Sequence, residues 1–132
     1  MIISSLANKL QLKPGYRALI LHAPENFIES LSPLPDDIAL DTKPAGEYEF
    51  VLLFVRNQEE LNAIGTQALE VLHYDGVFWV AYPKKSSGVQ SDISRDAGWD
   101  FLAGSGLRPV SAVAIDSTWS ALRFRPNEMV NA

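Results

Sequence analysis

Cysteine is absent from this chain of 132 residues, which excludes disulfides, thiolate metal ligands and a cysteine nucleophile. No apolar run approaches the ~20 residues needed to cross a bilayer as a helix, so no membrane partner is expected. The start Met1-Ile2-Ile3-Ser4-Ser5 has neither a basic segment nor a long apolar stretch, which points to a soluble, bacterial-type cytoplasmic domain rather than a secreted one. Cations are the scarcer charge. Eleven Lys and Arg against sixteen Asp and Glu leave a formal net charge of −5, and general affinity for nucleic acid, which needs clustered cations to displace counterions, is not expected.

Catalytic and binding signatures are also missing. Ser86-Ser87-Gly88 beside Lys84-Lys85 lacks the Gly-x-x-x-x-Gly-Lys-Ser/Thr order of a phosphate loop. No Gly-x-Ser-x-Gly nucleophile elbow occurs. His22 and His73, without cysteine or a carboxylate cluster at ligand spacing, make no zinc site. No cofactor and no metal are expected.

What is present reads as alternating strands and helices. Ser4 or Ser5 caps a short helix through Leu6 and Leu10, ended by Pro14-Gly15. Tyr16–His22 is an apolar strand covered on both faces. Pro24 suits the first position of a helix whose stripe is Phe27, Ile28 and Leu31, stopped by Pro33 and Pro35. Ile38–Leu40 is a short edge strand and Tyr48–Val55 the clearest buried one. Asn57 with Glu60 opens a helix as a capping box does, and Leu61, Ile64, Ala68, Leu69 and Leu72 follow at helical spacing. Asp75-Gly76 closes that unit before the strand Val77–Tyr82.

Beyond the polar loop from Lys84 to Gln90, Ser91 caps a third helix whose inner face is Ile93, Ala97, Phe101 and Leu102, with Gly104 or Gly106 at its end. Pro109–Ile115 and Thr118–Phe124 are separated by so few residues that they must pair antiparallel. The pattern predicts one domain over residues 1–132, with an N-terminal helical segment to residue 13 and a frayed tail from 126. The fold class is α/β: a mainly parallel open sheet, helices on both faces, and a C-terminal antiparallel hairpin.

Residues 16–125 in this order resemble the class I methyltransferase fold, a Rossmann-like sheet that also closes with an antiparallel hairpin strand. The best local match is Leu61–Leu72 followed by Asp75-Gly76-Val77-Phe78-Trp79-Val80. The chain also resembles a group of short uncharacterised bacterial proteins that share Tyr82-Pro83-Lys84 and Asp116-Ser117-Thr118-Trp119-Ser120. The methyltransferase likeness implies a glycine-rich loop after the first strand and an acidic residue ending the second. Here the loop is His22-Ala23-Pro24-Glu25-Asn26, where side chains, a proline and a carboxylate oppose close approach of a cofactor. Asp41 is the one candidate for the acidic position. The likeness is therefore to a reduced variant without its cofactor loop.

Ligands of open α/β sheets bind beyond the carboxyl ends of the strands. That edge gives the candidate ligand-binding residues His22, Asn26, Lys84, Asp116 and Trp119. His22 and Asn26 can exchange hydrogen bonds with a small polar ligand, Lys84 can neutralise an anion, and Trp119 can stack on a flat ring. His22 is the one candidate acid or base at that edge, with Asp116 to orient it. The plainer alternative pairs Lys84 with Asp116 and packs Trp119 under the loop. His73 reads as a helix-end cap, and Trp79 and Trp99 as core or interface. The expectation is a binding or interaction module without catalysis. Its partner is a small anion, a protein or a second copy docked on the Arg108–Ala114 sheet edge. The alternative is a small-molecule enzyme or degenerate S-adenosylmethionine-dependent transferase using the same edge.

Overall fold

Four stretches of chain run parallel at the centre of the computed structural model, which describes residues 4–130. They are β1 (Arg17–Leu21), β2 (Ala39–Asp41), β3 (Tyr48–Phe54) and β4 (Leu72–Pro83). β6 (Trp119–Pro126) lies antiparallel between β4 and β5 (Leu107–Ala114), giving the order β2-β1-β3-β4-β6-β5. β2 and β5 are the edges, as the sequence predicts for the Ile38–Leu40 region and the first hairpin strand.

Alternation along each strand sorts the apolar residues between two faces. Phe50, Leu52 and Phe54 of β3 join Ala18, Ile20, Trp79 and Ala81 under α1 (Ser5–Lys9) and α2 (Phe27–Ser30). Val51 and Leu53 join Leu19, Phe78, Val80 and Phe124 under α3 (Gln58–Val71) and α4 (Asp100–Gly104). With helices over both faces, β3 has no polar side beyond Glu49, which explains its apolar run from Phe50 to Phe54. Ser4 caps α1 by accepting from Ala7 N–H at 3.0 Å, while its hydroxyl donates to the Leu31 carbonyl. The buried indole of Trp79 donates to the Leu10 carbonyl at 2.8 Å, tying α1 to the sheet. At α3, Asn57 Oδ1 accepts from Glu60 N–H at 2.9 Å. The reciprocal bond is displaced by one residue, because Glu60 reaches back to Arg56 N–H at 2.8 Å.

The structure corrects four local expectations. Pro24 does not start a helix: Phe27 N–H closes a turn on the Pro24 carbonyl, and α2 begins only at Phe27. Asp75-Gly76 is a bulge inside β4, not a turn before it. α3 passes directly into β4, Asp75 sits at φ +55°, and its carboxylate grips Arg125 through two bonds of 2.9 and 2.8 Å. His73 consequently stands in β4, 3.3 Å from Glu47 and 3.4 Å from Glu49, rather than capping a helix.

Ser91 does not open the third helix, which starts at Asp100. Its hydroxyl instead accepts from Ile93 N–H, and Gly98 turns the chain at φ +96°, where a Cβ would meet the Asp92 carbonyl at 2.8 Å. At the other end, Pro126 finishes β6 and Asn127–Val130 forms α5, held by Asn127 N–H to the Gly106 carbonyl and by the Tyr74 hydroxyl to Glu128. The last two residues of the expected tail lie outside those described.

Candidate functional site

From β1 the chain first moves to β2 on one side and then crosses to β3 on the other, so the carboxyl ends of β1 and β3 flank a topological switch point. His22 follows β1 at φ +60°. Asn26 adopts φ +71° and ψ 0°, the geometry that a type II turn requires at its third residue. These left-handed conformations, which glycine adopts freely, are supplied here by histidine and asparagine, two of the three non-glycine types enriched there. A cavity of about 320 Å³ lies beside this turn, lined by His22, Pro24, Asn26, Glu29 and Thr42 among others.

The one carboxylate lining this cavity is Glu29, and Glu60, at the start of α3, is paired with Arg56. Burial pushes the Glu60 carboxyl up, but hydrogen bonds from the Arg56 amide and guanidinium, with the nearby charges of Arg56 and His22, outweigh it and hold the carboxyl below its ordinary value. Arg56 is spent on that contact, at 2.9 Å.

Asp41 does end β2, yet it does not reach the edge. Its register partner is Leu19, two residues before the end of β1. Its carboxylate accepts from the Tyr48 hydroxyl at 2.5 Å and lies 3.5 Å from the Arg17 guanidinium, which stacks 4.9 Å from the Tyr48 ring. Burial and then the bond to Asp41 raise the Tyr48 phenol above its ordinary value. The cavity is lined after β2 by Thr42, not by a carboxylate.

Aromatic rings fill the middle of the edge. Phe27 meets Phe54 edge-on at 4.7 Å, and Phe54 meets Trp119 in the same way at 5.1 Å. Trp119 is positioned by its own hairpin turn, where Asp116 Oδ1 accepts from Thr118 N–H and Trp119 N–H, both at 2.8 Å. The Lys84 amide donates to the Thr118 carbonyl at 2.7 Å. No ion pair joins Lys84 to Asp116 among the described residues.

A second cavity, of about 260 Å³, opens at the end of β4, where Lys84 and Lys85 face Arg95 and Asp96. Of the sequence-predicted residues, His22 and Asn26 therefore share one depression and Lys84 lines another. Asp116 and Trp119 belong to the turn and the ring stack between them. Sequence reasoning missed Thr42 and Glu29 in the first cavity, and Ser94, Arg95, Asp96 and Ser120 in the second. Gly98 was the available signal for the last group, because a glycine within a proposed helix marks a break.

Among the described residues there is no group of three or more His, Asp or Glu placed to hold a metal ion, and no helix long and apolar enough to cross a membrane. No protein-family description and no curated protein sequence matches the chain. Solved structures do. The N-methyltransferase NodS from Bradyrhizobium japonicum is 12% identical, with 92% of this chain and 93% of that one covered and a TM-score of 0.58. DhpI, solved as a complex with SAH, is 10% identical over 92% and 82% of the two chains, with a TM-score of 0.58. A protein of the NADB-Rossmann superfamily from Streptococcus agalactiae is 8% identical over 96% and 69%, with a TM-score of 0.50. At such identities the likeness is one of architecture: this chain has the Rossmann-like fold of the class I methyltransferases, in a six-stranded form.

Proposed function

We propose that the protein is a binding or interaction module without catalysis, built on a methyltransferase-like scaffold. One observation carries this reading. The loop that leaves β1 is His22-Ala23-Pro24-Glu25-Asn26, so side chains, a ring and a carboxylate stand where close backbone approach to a nucleoside needs bare glycine. The withdrawal of Asp41 into the Tyr48 and Arg17 contacts supports it.

Thermal denaturation with S-adenosylmethionine and S-adenosylhomocysteine tests the proposal. No change in Tm is expected with either. A specific rise of several degrees that disappears in His22→Ala would sink it.

The rival reading, a small-molecule enzyme at the same edge, draws on the left-handed His22 and Asn26, since strained backbone gathers at working sites. It requires turnover or ligand stabilisation that depends on His22, and the same titrations discriminate the two. The surface such a module offers to a second copy is β5, an edge strand with Val110 exposed. Its unpaired amides and carbonyls suit strand addition, although Pro109 beside a register shift limits its length. Sedimentation showing a strict monomer at high concentration would remove that part.

A further inference from the structure

The cavity at the end of β4 has a charge opposite to that of the molecule. Lys84, Lys85 and Arg95 line it against one carboxylate, Asp96, a local balance of +2 in a chain of net −5. None of the three cations is in an ion pair among the described residues. Hydroxyl groups complete the wall: Ser94, Ser120 and Tyr82.

The cations stand on backbone that is held from several sides. Ile93 is buried, Asp92 Oδ1 accepts from Gln58 N–H at 2.8 Å, and Gly98 makes the tight return. The Trp99 indole then donates to the Ser94 and Arg95 carbonyls at 2.8 and 3.2 Å, fixing the tip that presents Arg95. Opposite it, the Lys84 amide is bonded to the β6 hairpin, and the Ser87 hydroxyl and amide close on the Lys84 carbonyl. Charge gathered on an ordered frame loses little freedom when an anion arrives.

From this geometry we infer that the cavity is a binding site for a small phosphate monoester. A guanidinium offers a planar fork to phosphate oxygens, and two ammonium groups supply point charges beside it. A phosphate monoester carries about −1.5 to −2 at pH 7, which matches the local +2, whereas a carboxylate would leave the site positive. The walls offer no open aromatic face, because Tyr82 is buried and meets Trp99 edge-on at 5.4 Å. Recognition is therefore of the charged head, and the volume of about 260 Å³ leaves room for a short carbon chain. This inference rests on the module reading and names its ligand.

The test is titration of the ¹⁵N-labelled protein with methyl phosphate and inorganic phosphate at constant ionic strength. Saturable amide shifts are expected at Lys85, Ser94 and Arg95, with Kd in the millimolar range. Arg95→Ala should weaken binding about tenfold, a change of about 1.4 kcal/mol, with Tm unchanged. Arg95→Lys should recover part of that loss, and acetate should bind at least about tenfold more weakly than methyl phosphate. Shifts that fail to saturate, that chloride reproduces at equal ionic strength, or that survive Arg95→Ala overturn the site. Equal binding of acetate overturns the phosphate assignment. None of these results depends on S-adenosylmethionine, so failure here leaves the module reading to its own titration.

Discussion

At one end of the sheet's carboxyl edge, His22 and Asn26 lie beside Glu29. At the other, Lys84, Lys85 and Arg95 surround a single Asp96. The two depressions share a scaffold, a strand polarity and a similar volume. They differ in sign of charge and in how their walls are made. The first is a turn whose backbone takes glycine-like conformations while keeping its side chains. The second is a pair of loops fixed by an indole, a buried isoleucine and a glycine return. Architecture places ligands at this edge in general, but the residues decide where along it and of which charge. For this chain the switch point that the architecture favours is lined by the Glu29 carboxylate and, among the described residues, by no lysine or arginine, and the opportunity for an anion lies two strands away.

The barrier between the depressions is the chain of rings Phe27, Phe54 and Trp119, and removing its centre should have the largest effect. Phe54→Ala takes a side chain that is 2% exposed out of the core. A loss of about 3–5 kcal/mol is expected in urea unfolding, from transfer and the cavity left behind. A loss below about 1 kcal/mol would mean that the rings do not hold the edge closed, and the contrast between its two ends would dissolve.

A smaller effect comes from acid. The Glu60 carboxyl is held below its ordinary value of 4.5 in the folded protein. Stability from this group is therefore complete above pH 4.5 and is lost as pH falls through the lowered folded value, because the unfolded chain takes up the proton first. About 1 kcal/mol is expected, as for an ordinary hydrogen-bonded charge that is partly solvated. Glu60→Gln should flatten that part of the pH profile. An unchanged profile would show that the contact between Arg56 and Glu60 does not hold the start of α3.

Much of the scaffold was legible because it depends on local pattern. The apolar runs around Leu19, Leu52 and Trp79 and the 3.6-residue spacing from Leu61 to Leu72 needed no knowledge of distant contacts. The loops were read less well, for physical reasons. Nothing local says that His22 and Asn26 take positive φ, since neither is glycine. Asp75 looks like a turn residue until Arg125, fifty positions later, is seen to hold it. Arg95 was hidden inside a proposed helix that Gly98 and the Trp99 indole replace with a return turn. Asp116 accepts from the Trp119 amide in the hairpin turn and the Trp119 ring packs on Phe54, hydrogen-bonding and packing duties that could not be read from spacing.

The finest comparison is between the loop as it is and the loop with glycine restored. His22→Gly and Asn26→Gly each relieve a left-handed side-chain conformation worth roughly 1 kcal/mol. Each also frees the unfolded chain by about 0.5–1 kcal/mol, so the two effects should nearly cancel. Neither variant should move stability by more than about 0.5 kcal/mol, whereas Asn26→Val, β-branched at φ +71°, should lose clearly more. The double glycine variant should also stay silent towards S-adenosylmethionine. Pro24 and Glu25 remain in the loop, Thr42 still lines the cavity after β2, and Asp41 remains bonded to Tyr48. Calorimetry showing a gain of binding in that variant would place the whole difference in two missing glycines, and Asp41 would then cease to explain why this edge differs from that of a methyltransferase.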